Sequence, residues 1–138
     1  MAIKSYDTLP DEAKNIRITV FVEEQGFHEE FDADDAVSTH LVMFDGEKAV
    51  ATGRFYFDKA KQEYLIGRLA VLKAYRGKGL GGKIVSEAER LIKSKGGKSV
   101  SLHSQCRAQQ FYEKLGYEAF GESDFDEDCP HQWMKKML

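Results

Sequence analysis

Two cysteines, two prolines and one tryptophan in 138 residues leave this chain few covalent or rigid fixtures. Cys106 and Cys129 have no C-x-x-C spacing and no surrounding framework, so a reducing cytoplasm is the expected location. A single domain over residues 1–138 is long enough to bury a core without metal or disulfide staples. No apolar run approaches the roughly 20 residues of a membrane span. Residues 1–7 also lack the apolar stretch of a signal peptide. The four histidines show no metal-ligand spacing, and Cys106 with Cys129, Pro130 and His131 would make a poor zinc set. No metal and no membrane are expected.

The net charge of −3 conceals a division along the chain. Residues 1–65 carry 7 Lys/Arg against 14 Asp/Glu, residues 66–114 carry 11 against 3, and residues 115–138 carry 2 against 6. A basic middle third suits a small polyanion. Nucleic acid would want interleaved aromatics or a groove-binding motif, and the acidic remainder would repel a long polyanion. No nucleic-acid partner is expected.

Glycine is abundant in one place. Gly77, Gly79, Gly81 and Gly82 fall within Tyr75-Arg76-Gly77-Lys78-Gly79-Leu80-Gly81-Gly82-Lys83, just before an apolar helical face of Ile84, Val85, Ala88, Leu91 and Ile92. A glycine-rich turn opening a helix presents unpaired N–H groups and the positive end of a dipole, which together suit a phosphate. Arg76, Lys78 and Lys83 add positive charge. The dinucleotide pattern is formally met by Gly77, Gly79 and Gly82, but the next strand offers no acid for a ribose. The P-loop pattern reaches Lys83 and then has Ile84 where Ser or Thr should hold Mg²⁺. A third pattern, Arg/Gln-x-x-Gly-x-Gly/Ala, is met by Arg76, Gly79 and Gly81.

Along the chain, a short strand over residues 3–6 precedes a helix that Pro10, Asp11 and Glu12 begin. Ile16, Val20 and Phe21 are its buried stripe. Arg17, Phe21 and Glu24 fall at i, i+4 and i+7 on one face, which composition alone reads as solvated or half-buried. Asp45-Gly46 and residues 58–63 turn two hairpins. Leu69-Ala70-Val71-Leu72 reads as a strand covered on both faces. Gly96-Gly97 and Gly116 stop two later helices. The last two strands, 117–121 and 132–137, are joined by an acidic loop over 122–128. His40 and His103 fall on strands, and His28 on a surface loop. The class is α+β, with a mostly antiparallel mixed sheet.

In the glycine loop and in Phe111-Tyr112-Glu113-Lys114-Leu115-Gly116-Tyr117, the chain resembles the GCN5-related N-acetyltransferase superfamily. The segment Arg17…Val20-Phe21-Val22-Glu23-Glu24-Gln25-Gly26 with Thr39-His40-Leu41-Val42 resembles a branch of small bacterial members, in which this region walls the acceptor site. The resemblance implies acetyl-CoA as co-substrate, its pyrophosphate on Arg76, Gly77, Lys78, Gly79, Leu80, Gly81 and Gly82. It further implies a splayed central parallel strand pair, with the pantetheine arm along Leu69, Ala70 and Val71. Gln105 stands where many members have Asn, within reach of that arm. A homodimer is an assembly common among similar proteins.

Acetyl transfer to an amine needs a polarised carbonyl, a base for the ammonium proton and an acid for the leaving thiolate. The resemblance implies Tyr112 as that acid; the packing alternative is a core aromatic. His131 is the first choice of base, because free imidazole titrates near 6.5, and Glu24 acting through a water is the second. Glu29-Glu30-Phe31-Asp32-Ala33-Asp34-Asp35 is either a solvated loop or an attractor for a cationic amine. The expected function is acetyl transfer to a small-molecule amine by direct attack in a ternary complex. The alternative is a catalytically silent acyl-CoA-binding module, which keeps the loop and does not need Tyr112.

Overall fold

A computed structural model describes residues 1–28 and 31–138. Among the described residues, eight strands form one mixed sheet: β1 Ala2–Tyr6, β2 Thr39–Asp45, β3 Lys48–Asp58, β4 Glu63–Val71, β5 Ser99–Gln105, β6 Glu118–Ala119, β7 Asp124–Asp126 and β8 Cys129–Met137. Their order is β1-β2-β3-β4-β5-β8-β6, with β7 also paired to β8. Every pairing is antiparallel except β4 with β5. The α+β class expected from the sequence is the one observed.

Helix α1 Asp11–Arg17 continues as a π-helix over Ile18–Glu24, and α2 Leu80–Ser94 and α3 Gln109–Lys114 follow. Along β4, Ala70 joins Ile16, Val20, Phe21 and Phe27 in one core, whereas Leu69 and Val71 pack against the α2 side. Side chains alternate across a strand, so α1 and α2 cover opposite faces of the sheet. Ile84, Val85, Ala88 and Ile92 of α2 are almost fully buried, as their helical spacing predicts.

Glycine ends both later helices in the same way. The N–H of Gly96 bonds the Lys93 carbonyl and that of Gly97 the Ile92 carbonyl, with Gly96 at φ +90°. Gly116 (φ +98°) and Tyr117 repeat the pattern on Glu113 and Tyr112. This paired arrangement satisfies helix-end carbonyls and needs a left-handed residue at the first position.

Three expectations are corrected. The acidic loop after β6 contains the extra strand β7, which pairs Asp124 with His131. Strand β8 begins at Cys129, so His131 lies within it. Arg17 and Glu24 do not share a solvated face, because the wider π winding intervenes. Arg17 is 1% exposed on Asp35, while Glu24 reaches Arg76.

Candidate active site

The parallel pair is short. Only Tyr64, Leu65 and Ile66 of β4 pair with Val100, Ser101 and Leu102 of β5. Beyond Ile66 the strands part, and the cause lies on the other edge of β4. There the register against β3 shifts between Thr52 and Arg54, so Arg68 and Leu69 together oppose Gly53. Arg68 takes φ +52°. A bulge bends its strand and increases its twist, which carries β4 away from β5.

The gap holds a cavity of about 200 Å³. Ile66, Gly67, Arg68 and Leu69 line it from β4, and Leu102, His103, Ser104 and Gln105 from β5. Phe111 and Tyr112 of α3 line it as well, as do Phe21, Gln25 and Phe27 beyond the opposite face, with Asp126 and His131. Since Tyr112 belongs to the α2-side core and Phe27 to the α1-side core, the cavity passes through the sheet. Backbone on the inner edge of β4 past Ile66 has no strand partner there, which is the setting an extended amide-bearing arm requires.

Beside this gap, α2 starts at Leu80 without a side-chain cap and with no acid in its first turn. Its first N–H groups are therefore unclaimed by capping side chains. Gly77 and Gly79 have φ of +79° and +75°, and a Cβ on either would meet nothing within 4 Å. The loop is an open cradle of donors. Gly81 serves differently: a Cβ there would stand 3.2 Å from the Phe111 ring, so this glycine lets α2 approach α3.

A family model described as the acetyltransferase (GNAT) domain matches residues 7–138. The chain belongs to that family. It is an acetyl-CoA-dependent N-acetyltransferase, transferring an acetyl group to an amine. The uncharacterized protein YyaT of Bacillus subtilis is 39% identical over 147 residues, covering 100% of this chain and 97% of that one. The uncharacterized N-acetyltransferase YjcF of the same organism is 37% identical over 137 residues, 96% and 95% of the two chains. Among solved structures, Escherichia coli ElaA superposes with a TM-score of 0.86 at 26% identity, covering 99% of each chain. An acyl-CoA N-acyltransferase from Pseudomonas aeruginosa gives 0.82 at 26%, covering 98% of this chain and 97% of that one.

The acetyltransferase cavity collects some of the residues singled out from sequence and not others. Tyr112, His131, Leu69 and Gln105 line it; Ala70, Val71 and Glu24 do not. Among the described residues, no side chain hydrogen-bonds the Tyr112 hydroxyl, and burial pushes its phenol well above the usual 10. His131 is 6% exposed, with Nδ1 2.9 Å from the Cys129 carbonyl. A carbonyl only accepts, so Nδ1 is the donor, and in the neutral ring Nε2 is the nitrogen with the lone pair. Gln105 donates to the Gln25 side chain at 2.8 Å.

Glu24 grips the Arg76 guanidinium with both carboxylate oxygens, each at 3.0 Å. Arg76 Nε also donates to the Val71 carbonyl at 2.9 Å. One predicted cofactor group is thereby held from two sides. Leu80 is buried, so only its backbone is available to a ligand.

In the described part of the acidic run, two carboxylates are taken up by arginines. Glu29 and Glu30 lie outside the described residues. Asp32 and Asp35 neutralise buried arginines: Asp35 accepts from Arg17 at 2.8 and 3.1 Å and from Arg54 at 2.8 Å. Asp32 accepts from Arg54 at 2.7 and 3.1 Å and from Arg68 at 3.1 Å. The wall loop is thus tied to the residue that forms the bulge. A sequence signal existed, since Arg54 interrupts an otherwise apolar strand and a buried charge needs a partner. Phe27, Arg68 and Asp126 were not singled out, because the turn after the π-helix, the bulge in β4 and strand β7 that present them leave no mark in composition.

The two kinds of glycine give a direct test. Gly79→Val forces a β-branched residue to positive φ and fills the cradle, and CoA affinity by calorimetry should fall at least about tenfold. Gly81→Val should lower thermal stability as well, because its side chain meets Phe111.

Proposed function

We propose that this acetyltransferase acts on a small-molecule amine by direct attack in a ternary complex, with His131 as base and Tyr112 as acid. The observation that supports it is one cavity lined by an imidazole whose Nδ1 is held by a backbone carbonyl and by a phenol that no described side chain hydrogen-bonds. Acetyl-CoA supplies the acetyl group as a thioester. Residues of the glycine loop, Arg76, Gly77, Lys78, Gly79, Leu80, Gly81 and Gly82, hold its pyrophosphate, and the freed edge of β4 at Leu69, Ala70 and Val71 orients the arm, with Gln105 opposite.

His131 Nε2 takes the proton as the amine nitrogen bonds to the acyl carbon. Tyr112 donates to the sulfur as the C–S bond breaks. Burial keeps the phenol protonated, and the same burial penalises a naked thiolate, so the hydrogen bond matters most when that charge forms. The reaction belongs to the cytoplasm, where Cys106 and Cys129 stay as free thiols. A homodimer is the assembly to examine by sedimentation.

A panel of amines with acetyl-CoA, followed by thiol release, tests the acceptor class. With a good acceptor, kcat/KM should fall on an acidic limb. His131→Ala should lower the rate about 10²-fold or more and erase the limb. An unchanged rate and limb would remove the histidine from the mechanism.

A further inference from the structure

Glu24 sits at the end of a π-helix, one residue before a side chain that lines the cavity, yet it turns away from that cavity. Its carboxylate faces the end of the Arg76 guanidinium, accepting a hydrogen bond from Nη2 at 3.0 Å and lying 3.0 Å from Nη1, across a sequence separation of 52. Arg76 Nε is fixed on the Val71 carbonyl at the end of β4. The next residue, Gln25, holds Gln105 at the end of β5. Two consecutive side chains therefore span the mouth of the splay, one tied to each strand end.

From this geometry we infer that Glu24 is a positioning residue for the cofactor, acting through Arg76, and not a proton acceptor. The inference rests on the reading of the glycine loop as the pyrophosphate site. One guanidinium N–H goes to Val71 and one to Glu24, with Nη1 held against the second carboxylate oxygen, and the N–H groups that remain can meet a phosphate. They are aimed before any ligand arrives. A long arginine on an exposed loop otherwise loses much of its rotamer freedom on binding. The competing effect is repulsion between the Glu24 carboxylate and a phosphate. Glu24 and Arg76 are both partly open to solvent, with side chains 29% and 41% exposed, so water and salt screen that repulsion. Orientation wins, and losing Glu24 weakens cofactor binding.

The same arrangement gives the acceptor wall a hold on the cofactor loop. The π-helix winding supplies it: Phe21 stays in the core while Glu24 reaches Arg76 at the end of β4. Glu24, Gln25 and Phe27 then reach Arg76, Gln105 and the His131 ring, the last at 6.4 Å.

The test is a cycle of Glu24→Ala, Arg76→Ala and the double variant, with CoA affinity measured by calorimetry at low and high salt. Glu24→Ala should weaken CoA about three- to tenfold, the range of a partly exposed charge-assisted fork. Glu24→Gln, which retains part of the hydrogen bonding, should recover some of the loss. The effect of Glu24→Ala should persist at high salt and vanish in the Arg76→Ala background. In steady state KM for acetyl-CoA should rise more than kcat falls, and the acidic limb should stay. Unchanged or tighter CoA binding in Glu24→Ala would overturn the inference, as would loss of the limb. If that happens while Gly79→Val still loses CoA, the cradle reading stands alone. If Gly79→Val and Arg76→Ala both bind like wild type, the cradle and the inference fall together.

Discussion

Tyr112→Phe is expected to leave CoA affinity nearly unchanged and to lower kcat about 100-fold or more, the scale of losing a positioned acid. The substitution removes one oxygen that no described side chain bonds, so little packing is disturbed. The ring remains against Phe111 and Tyr117, at centroid distances of 4.9 and 5.9 Å. Burial holds the phenol above its ordinary range. Tyr112 therefore stays protonated through neutral and moderately alkaline pH, and no alkaline limb below about 10 should come from it. Thiol release and CoA calorimetry on the same preparations separate the two quantities. A kcat within about twofold of wild type would return Tyr112 to a packing role.

Asp35→Asn should destabilise the fold by about 3 kcal/mol, because the buried Arg17 and Arg54 would lose the carboxylate they share. For a domain of this size the melting temperature should fall by roughly 10 °C. In urea the midpoint should fall with an unchanged slope. Burial works to raise the Asp35 carboxyl, but hydrogen bonds from Arg17 and Arg54 outweigh it and bring it from 3.8 to about 2. A carboxyl depressed in the folded state stabilises the fold fully above its unfolded value. That contribution, about 2 kcal/mol, is lost as pH drops from about 4 through about 2. Asp35→Asn should therefore flatten the acid limb of stability in that window. An unchanged acid limb would mean that the arginines find other partners.

The charge network also bears on activity. Asp32 joins Arg54 to Arg68, and Arg68 forms the bulge that parts β4 from β5. A carboxylate on the wall loop thus fixes the shape of a gap it does not itself line.

The glycine loop and the helix behind it were legible because each depends on local chemistry. Positive φ at Gly77 and Gly79 and the α2 apolar face are properties of adjacent residues, and so are the stops at Gly96 and Gly116. The placement of Tyr112 two helical turns after β5 also follows from short-range pattern. Tertiary structure decided which charges meet. Sequence counts the acids between Glu29 and Asp35, but only folding brings Arg17, Arg54 and Arg68 to them over 18 to 36 residues. The same holds for Glu24, which spacing puts on the face of Arg17 and which π winding delivers to Arg76. His131 likewise became a residue with a defined tautomer only when its strand brought the ring into the cavity and its Nδ1 to the Cys129 carbonyl. Local propensity fixes the backbone of a loop or a helix. A buried charge takes its partner from whatever the chain packs beside it.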